Sequence, residues 1–364
     1  MPAIVFDRIS LDRGGVFALN GVSLEIEDGE LLTVVGPSGS GKTALLRIIA
    51  GLEQPTGGRL LFDGTDMIGV EPLNRDVAMV FQEHALYSHK TAEANLAFPL
   101  EVHHVHEPER TSRVAKMATA MRLARILDRL PRTLSVGQRN AVATGRALVR
   151  DPAILLLDEP LSNFDARGRL HARVEIRQRH DQSGATTVYA TNDQAEAMAL
   201  GDRVVVLNRG MVQQIGPPEL IYGAPANLFV ARFVGTPPMN AMTGLFEAAY
   251  PDFRWTSGDD RLVIPTRLVE SRPRLREFTG RRVVIGIRSQ HLHPTVAAPS
   301  GTWLRGTCLG IEDHGSDRFA YIELGSGQMV ARIGEQVLGI GTPTELTVDF
   351  EHLHFFDPET GAAV

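Results

Sequence analysis

The chain has 364 residues, of which 43% are hydrophobic and 22% charged, an ordinary composition for a globular protein of about two to three domains. Its formal net charge of −6 and the lack of a concentrated Lys/Arg block exclude a surface that coats nucleic acid, so no nucleic-acid partner is expected. No apolar run approaches the ~20 residues that span a bilayer, and Met1–Asp7 lacks a secretory-signal pattern, so we expect the protein to stay in the cytoplasm.

Short strand-like runs alternate with helical patterns up to about Gly235, which is typical of an α/β domain. Between Ala92 and Arg150 the strand pattern is absent, and Pro108–Arg129 indicates one amphipathic helix. We therefore predict an α/β domain over residues 1–235 with a helical subdomain at about residues 90–150. Its predicted strands are Ile4–Ile9, Val22–Ile26, Leu31–Val35, Val77–Phe81, Ile154–Asp158, Thr187–Thr191 and Val204–Leu207.

The rest of the chain, residues 236–364, has a different pattern. After the break at Gly235–Asn240, short alternating runs are separated by Gly, Pro and Ser, which favours a small antiparallel barrel or sandwich. The single cysteine, Cys308, lies in one of these runs and is expected to be a packed core thiol. The predicted strands are Val283–Arg288, Trp303–Ile311, Phe319–Leu324, Met329–Ile333 and Glu345–Phe350.

Residues 36–43 have the sequence GPSGSGKT and lie between the strand-like run Leu31–Val35 and a helix-like segment. This strand, loop and helix context is the one that a phosphate-binding P-loop requires, and it disfavours a glycine-rich turn that binds nothing. Backbone N–H groups at a helix N-terminus cradle phosphates, a lysine adds a cation, and a threonine hydroxyl can bind Mg²⁺. The predicted ATP-binding residues are Gly36, Ser38, Gly39, Ser40, Gly41, Lys42, Thr43 and Ala44.

A second phosphate-chemistry element is the apolar strand Ile154–Asp158, which ends in two adjacent carboxylates. Beside a P-loop, Asp158 is predicted to hold Mg²⁺ and Glu159 to polarise the attacking water. The alternative, a solvated turn, is disfavoured by the P-loop upstream.

The segment Leu134–Arg139, with sequence LSVGQR, resembles the signature of ATP-binding-cassette (ABC) ATPases, whose usual form is LSGGQ. Other marks of that family occur in order: Gln82 as the Q-loop, Asp158 and Glu159 as Walker B, and residues 162–165 as the D-loop. The tail resembles the regulatory domain of maltose-type sugar-importer ATPases at residues 235–240, 286–292 and 352–361. The resemblance implies a P-loop ABC ATPase domain followed by a small all-β, OB-like regulatory domain.

The resemblance also implies an assembly. Two copies form a head-to-tail homodimer with ATP between the P-loop of one and Ser135, Gly137 and Gln138 of the other. Glu159, Asn192 and Gln82 take catalytic positions, and Thr43, Gln82 and Asp158 hold Mg²⁺. The dimer lies on the cytoplasmic face of the membrane under two permease subunits fed by an extracytoplasmic solute-binding protein.

Three residues depart from the family pattern. Asn192 stands where the family has the switch histidine, and loss of one preorganised transition-state contact typically costs ~10²–10³ in rate. Val136 replaces the first signature glycine, and its β-branched side chain is strained or in the way if that position needs a positive φ or very close backbone approach. Arg13 replaces the aromatic residue that stacks on adenine; it is predicted to stack there with help from Phe17, or else to be a solvated surface arginine.

From these observations we predict an ATPase that energises an ABC importer for sugars or related solutes, with turnover reduced by Asn192 and Val136. Two alternatives stay open: a slow or non-hydrolytic regulatory ATP-binding subunit, and a soluble ABC ATPase of nucleic-acid repair or translation. The acidic balance and the lack of a heptad run disfavour the second. The histidines at His103, His104 and His106 are interpreted as a solvated loop.

Overall fold

The computed structural model describes residues 2–81, 86–162, 164, 166–295, 304–315 and 317–364. It divides into two compact units, Met1–Pro218 and Glu219–Val364. This division precedes the predicted boundary at residue 235, because the segment that follows residue 218 is bonded to the second unit. Arg288 donates to the carbonyl oxygens of Tyr222 at 2.7 Å and of Val234 at 2.7 Å.

Among its described residues, the first unit combines two sheets with six α-helices. Its strands are β1 Ile4–Asp12, β2 Phe17–Ile26, β3 Leu31–Val35, β4 Gly57–Phe62, β5 Thr65–Asp66, β6 Val77–Val80, β7 Ile154–Asp158, β8 Thr186–Thr191, β9 Arg203–Asn208 and β10 Met211–Gly216. Its helices are α1 Lys42–Ala50, α2 Ala92–Val102, α3 Glu109–Ala120, α4 Val136–Leu148, α5 Ala166–Ser183 and α6 Gln194–Leu200.

The larger sheet has the strand order β10-β9-β3-β8-β7-β6, in which only the β9–β10 pair is antiparallel. Every residue of β3, β7 and β8 is buried, as expected for parallel strands covered on both faces. The smaller sheet is antiparallel, in the order β2-β1-β4-β5. Two of its strands, β4 and β5, and the edge strand β10 were absent from the sequence prediction.

The prediction of one helix over Pro108–Arg129 is wrong in its second half. Helix α3 ends at Ala120, and Arg122 has a φ of 56°, in the left-handed region that stops a helix. The amides of Met121 and Leu123 close the end by donating to the carbonyl oxygens of Met117 and Ala118. The apolar periodicity continues past this point because Leu123 and Ile126 are buried from a turn segment.

The second unit consists mainly of two five-stranded antiparallel sheets, in the orders β13-β12-β11-β14-β20 and β15-β19-β16-β17-β18. The α/β class followed by an all-β domain is thus confirmed, and the Cys308 side chain is buried in the shared core of these sheets. The elements are α7 Pro218–Gly223, α8 Leu228–Phe233, β11 Asn240–Ala249, β12 Asp252–Ser257, β13 Asp260–Ile264, α9 Thr266–Glu270, β14 Arg281–Ile287, β15 Leu292–Thr295, β16 Arg305–Asp313, β17 Arg318–Leu324, β18 Gly327–Arg332, β19 Pro343–Val348 and β20 His354–Phe356.

Across the described residues, the helices lack the combined length and apolar character that a membrane crossing requires.

Candidate nucleotide-binding site

The site forms where three neighbouring parallel strands end. Strand β8 lies between β3 and β7 in the sheet, so the segments that follow these strands meet at one edge. The P-loop, residues 36–43, follows β3; Asp158 ends β7 and Glu159 follows it; and Asn192 follows β8. Sheet topology therefore brings together residues that are more than a hundred positions apart in sequence, as the hydrogen bond between Lys42 and Asn192 shows.

The P-loop needs its glycines for space and for backbone conformation. A Cβ on Gly36 would lie 2.1 Å from the carbonyl oxygen of Leu207, and one on Gly41, where φ is 110°, would lie 2.4 Å from that of Ala18. Among the described residues no side chain caps the start of α1, and its first turn has no acidic residue. The buried hydroxyl of Ser40 likewise has no partner among them. The first N–H groups of α1 can therefore bind an anion.

Lys42 is held by three hydrogen bonds beneath the loop. Its Nζ donates to the carbonyl oxygens of Gly36 at 2.9 Å and Pro37 at 3.0 Å and to Oδ1 of Asn192 at 2.6 Å. These bonds use all three ammonium protons. Burial lowers the pKa of Lys42, and the charges of Glu159 and Asp158 oppose that shift. The cation is thus placed between the loop and the two carboxylates.

The Thr43 hydroxyl donates to Oδ1 of Asp158 at 3.1 Å. Asp158 is only 4% exposed, and burial raises its pKa, although the bond from Thr43 partly offsets this. A hydroxyl and a buried carboxylate are oxygen donors of the kind that Mg²⁺ prefers, and a divalent cation would stabilise the ionised carboxylate. These two residues therefore fit a magnesium site.

Glu159 lies next to this pair in an unusual backbone conformation, with a φ of 46°. Its amide donates to the carbonyl oxygen of Ala190 at 2.9 Å, which joins the end of β7 to β8. Burial raises the pKa of Glu159, and the nearby Lys42 charge opposes the rise. A carboxylate with a raised pKa beside a phosphate-binding loop is suited to take a proton from water.

Asn192 connects the cation to this carboxylate. Its Oδ1 accepts from Lys42, and its Nδ2 donates to Oε1 of Glu159. The chemistry fixes this orientation of the amide, because an ammonium group can only donate and a carboxylate can only accept. A neutral amide thus occupies the position that the resemblance assigns to a histidine, and it holds Glu159 without adding charge.

A residue that sequence reasoning missed supports this position. Glu196 is 4% exposed and accepts hydrogen bonds from the hydroxyls of Tyr189 at 2.8 Å and Thr191 at 2.9 Å. Its amide also donates to Asp193, which caps α6. The Asp-x-x-Glu spacing at the start of α6 is the available sequence signal for this arrangement. The contacts fix the end of β8 on both sides of Asn192.

Ser135 and Gln138 form a capping box at the start of α4. Ser135 Oγ accepts from the amide of Gln138 at 3.2 Å, and Gln138 Oε1 accepts from the amide of Ser135 at 2.9 Å. Val136 begins the helix without a positive φ and is 39% exposed, so the first condition for strain there is not met; close backbone approach across a dimer stays a prediction. Ser135 and Val136, at the start of α4, are exposed, and Gly137 is partly exposed.

The predicted adenine-stacking residue Arg13 bonds to a residue outside the cluster of Lys42, Thr43 and the two carboxylates. The Arg13 guanidinium forms a bidentate pair with Glu53, with both carboxylate oxygens at 2.6 Å from Nη2. Its stacking on adenine stays a prediction that requires this pair to open or turn, and Phe17 is exposed nearby in sequence. Gln82, and residues 163 and 165 of the D-loop, lie outside the described residues.

Comparison with known proteins identifies the family. A family model described as ABC transporter matches residues 19–162. The trehalose/maltose import ATP-binding protein MalK of Thermococcus litoralis is 41% identical over 96% of this chain and 96% of its own. The sn-glycerol-3-phosphate import ATP-binding protein UgpC of Paracoccus denitrificans is 42% identical over 100% of this chain and 99% of its own.

A solved structure is also similar. The dimeric post-hydrolysis state of the ATP-binding cassette MJ0796 bound to ADP and Pi has a TM-score of 0.55 and 28% identity, and the match covers 59% of this chain and 98% of that one. The resemblance inferred from the sequence motifs is confirmed, as is the prediction of an ATP-binding ATPase. The chain belongs to the ABC-transporter family, among the ATP-binding subunits of importers.

Proposed function

We propose that this chain is the Mg²⁺-dependent ATPase subunit of an importer for sugars or related polyhydroxylated solutes such as glycerol phosphate. The observation that carries the proposal is the continuous contact from Lys42 through Asn192 to Glu159, beside the bonded pair of Thr43 and Asp158. The solute class is proposed from the trehalose/maltose and glycerol-3-phosphate importers whose ATP-binding proteins are about 40% identical to this chain over its full length.

Each residue of the site has a proposed role. The N–H groups of the P-loop and the first turn of α1 bind the phosphates, and Lys42 neutralises the outer ones. Thr43 and Asp158 hold Mg²⁺, which when bound neutralises charge on the phosphate oxygens. Glu159 accepts a proton from the attacking water at its carboxylate, and Asn192 orients that carboxylate. Gln82 is proposed as a further Mg²⁺ ligand in a catalytic position.

ATP hydrolysis is proposed to drive transport through a homodimer. The capping box fixes the backbone at Ser135 and Gln138, while the Ser135 hydroxyl keeps its proton available to donate to a phosphate of the facing copy. Closure of two copies on ATP and their release after hydrolysis would move two permease subunits between their inward and outward openings. Their solute would arrive from an extracytoplasmic binding protein, with the dimer on the cytoplasmic face of the membrane.

A second candidate function, a slow ATP-binding regulatory subunit, is favoured by one observation. Asn192 supplies a neutral amide to Glu159, whereas an imidazole could change its protonation state during hydrolysis. We propose that basal turnover is low for this reason. Val136 can lower turnover further, because the bulk of its exposed side chain would lie at the surface that faces the second copy.

Reconstitution separates these functions. The chain, two permease subunits and their binding protein are placed in liposomes, and phosphate release is measured with and without solute. We expect Mg-ATP hydrolysis that rises when liganded binding protein is present, and no hydrolysis by the matched variant Glu159→Gln, which keeps the shape and the ATP binding. Hydrolysis that never responds to the binding protein, while ATP binding persists, would support the regulatory function instead.

A further inference from the structure

The second unit contains a histidine and aspartate cluster whose geometry is independent of the nucleotide site. Leu292 at the start of β15 lies opposite Val348 at the end of β19. The residues that flank this pair, His291 and Asp349, are consequently neighbours, and the Asp349 amide donates to the His291 carbonyl oxygen at 3.0 Å. The backbone thus fixes two potential metal ligands side by side.

A third potential ligand comes from the turn that follows β19. Asp349 caps a 3-10 turn over residues 350–352 by accepting from the amide of Glu351 at 3.1 Å. His352 ends this turn, and its Nδ1 lies 2.8 Å from Oδ2 of Asp349. The same oxygen lies 3.7 Å from Nδ1 of His291. One carboxylate oxygen is therefore close to a ring nitrogen of both histidines.

We propose that His291, Asp349 and His352 bind one divalent transition-metal ion of the Zn²⁺ class, with water completing the coordination. One potential ligand atom from each residue lies within 4.8 Å of those from the other two. Ligand atoms around a tetrahedral zinc ion, at about 2.0–2.1 Å from the metal, are about 3.3 Å from each other. Two imidazoles with one carboxylate favour Zn²⁺ or Co²⁺ over Mg²⁺ or Ca²⁺, which prefer oxygen ligands.

Binding requires the two rings to turn. They are stacked, with centroids 3.7 Å apart and an angle of 5° between their planes, so their lone pairs lie in nearly parallel planes and do not converge on one ion. Rotation of each ring about its Cβ–Cγ bond can direct one nitrogen lone pair of each towards a common point beside the carboxylate oxygen, where the ion would lie. The side chain of His352 is 51% exposed and that of Asp349 is 41% exposed, which leaves room for this rotation and for a water ligand.

Gln290 can orient the more buried ring. Its amide nitrogen lies 3.1 Å from Nε2 of His291, and its Oε1 accepts from the Tyr222 hydroxyl at 3.1 Å. When Nδ1 of a histidine binds a metal, its other ring nitrogen carries a proton and donates to a neighbour. If the Gln290 side-chain amide rotates by 180°, its oxygen can accept a hydrogen bond from this N–H of His291. Its nitrogen can then donate to the Tyr222 hydroxyl.

The test is calorimetric titration of ZnCl₂ into the full-length chain without an affinity tag, together with CoCl₂ titration followed by visible absorption. We compare wild type with His352→Gln and Asp349→Asn, which remove one ligand each and keep similar shapes. The control variant carries His104→Gln and His106→Gln, histidines of an exposed segment in the first unit. Circular dichroism checks that every variant is folded.

We expect one ion per chain, an intense four-coordinate Co²⁺ spectrum, and binding at least ~10-fold weaker in both ligand variants than in the control variant. The absence of saturable Zn²⁺ binding in wild type would overturn the proposal. So would binding that persists unchanged in folded His352→Gln, or binding that the control substitutions remove. If Asp349→Asn does not fold, His352→Gln alone decides, because its exposed side chain can be replaced without altering the turn cap.

Discussion

Replacement of Asn192 by histidine is the change whose effect the site geometry defines best. The neutral Asn192 amide, which follows β8, accepts a hydrogen bond from Lys42 and donates one to Glu159. A histidine at this position can offer the same pair one donor and one acceptor, and it can also become a cation as negative charge develops. We expect Asn192→His to raise kcat while leaving ATP affinity nearly unchanged.

The magnitude follows from the number of contacts that change. The hydrogen bond to Glu159 is the contact that changes, because its donor goes from a neutral amide to an imidazolium cation while its acceptor is a carboxylate in both cases. One preorganised contact of this kind is typically worth ~10²–10³ in rate. We therefore expect an increase of about ten- to a thousandfold, equivalent to about 1.4–4 kcal/mol of barrier.

Single-turnover hydrolysis by the chain assembled with its permeases measures this effect, and a fluorescent ATP analogue measures affinity. The matched control is Asn192→Gln, which keeps the amide and adds one methylene; it should give no comparable gain. Adding Glu159→Gln to Asn192→His should abolish the increase. A wild-type rate already within the usual enzyme range of about 1–10³ s⁻¹, or no gain in rate from histidine, would refute the proposal that Asn192 is what limits turnover.

Two further predictions concern stability. Burial raises the pKa of Asp158, so the stability associated with its protonated form is lost as pH rises above the ordinary aspartate value of 3.8. Asp158→Asn should therefore raise the Tm of the nucleotide-free protein by an amount that grows as pH rises above about 4; thermal melts in which this gain in Tm shrinks with rising pH would contradict this. The buried Arg75 guanidinium donates to the carbonyl oxygens of Ile48, Ile49, Met67 and Val70, which fixes the end of α1. Arg75→Met should lower the free energy of unfolding by about 3 kcal/mol in urea, against about 0–1 kcal/mol for the exposed control Arg59→Met; equal losses would count against this role.

The fold was predictable where the sequence pattern is strong and local. Fully buried strands such as β3 and β7 have the predicted bounds because a continuous apolar run between glycine-rich or charged segments fits a covered parallel strand. Strand β4 was missed, because it begins with two glycines and an arginine. Helix α3 was predicted too long, because buried turn residues continue a helical spacing without helical backbone.

The candidate site was predictable in its parts, and its connections came from the sheet order. The P-loop and the carboxylate pair can be identified from spacing alone, but the bond between Lys42 and Asn192 depends on β8 lying between β3 and β7. Long-range pairs such as Arg13 with Glu53 have no local sequence signal, since the two residues come from separate segments. The cluster of His291, Asp349 and His352 also has no local sequence signal, because the pairing of β15 with β19 brings these residues together.

The most direct test of the central claim is whether ATP joins the P-loop of one copy to the signature segment of another. In a Glu159→Gln background, Ser38→Cys and Ser135→Cys are placed in separate copies and oxidised with and without Mg-ATP; a pair of Ser38→Cys with Ser112→Cys, on the exposed surface of α3, is the control. We predict a covalent dimer only for the first pair and only with Mg-ATP. No cross-link at saturating Mg-ATP, or the same yield without nucleotide, would contradict the account.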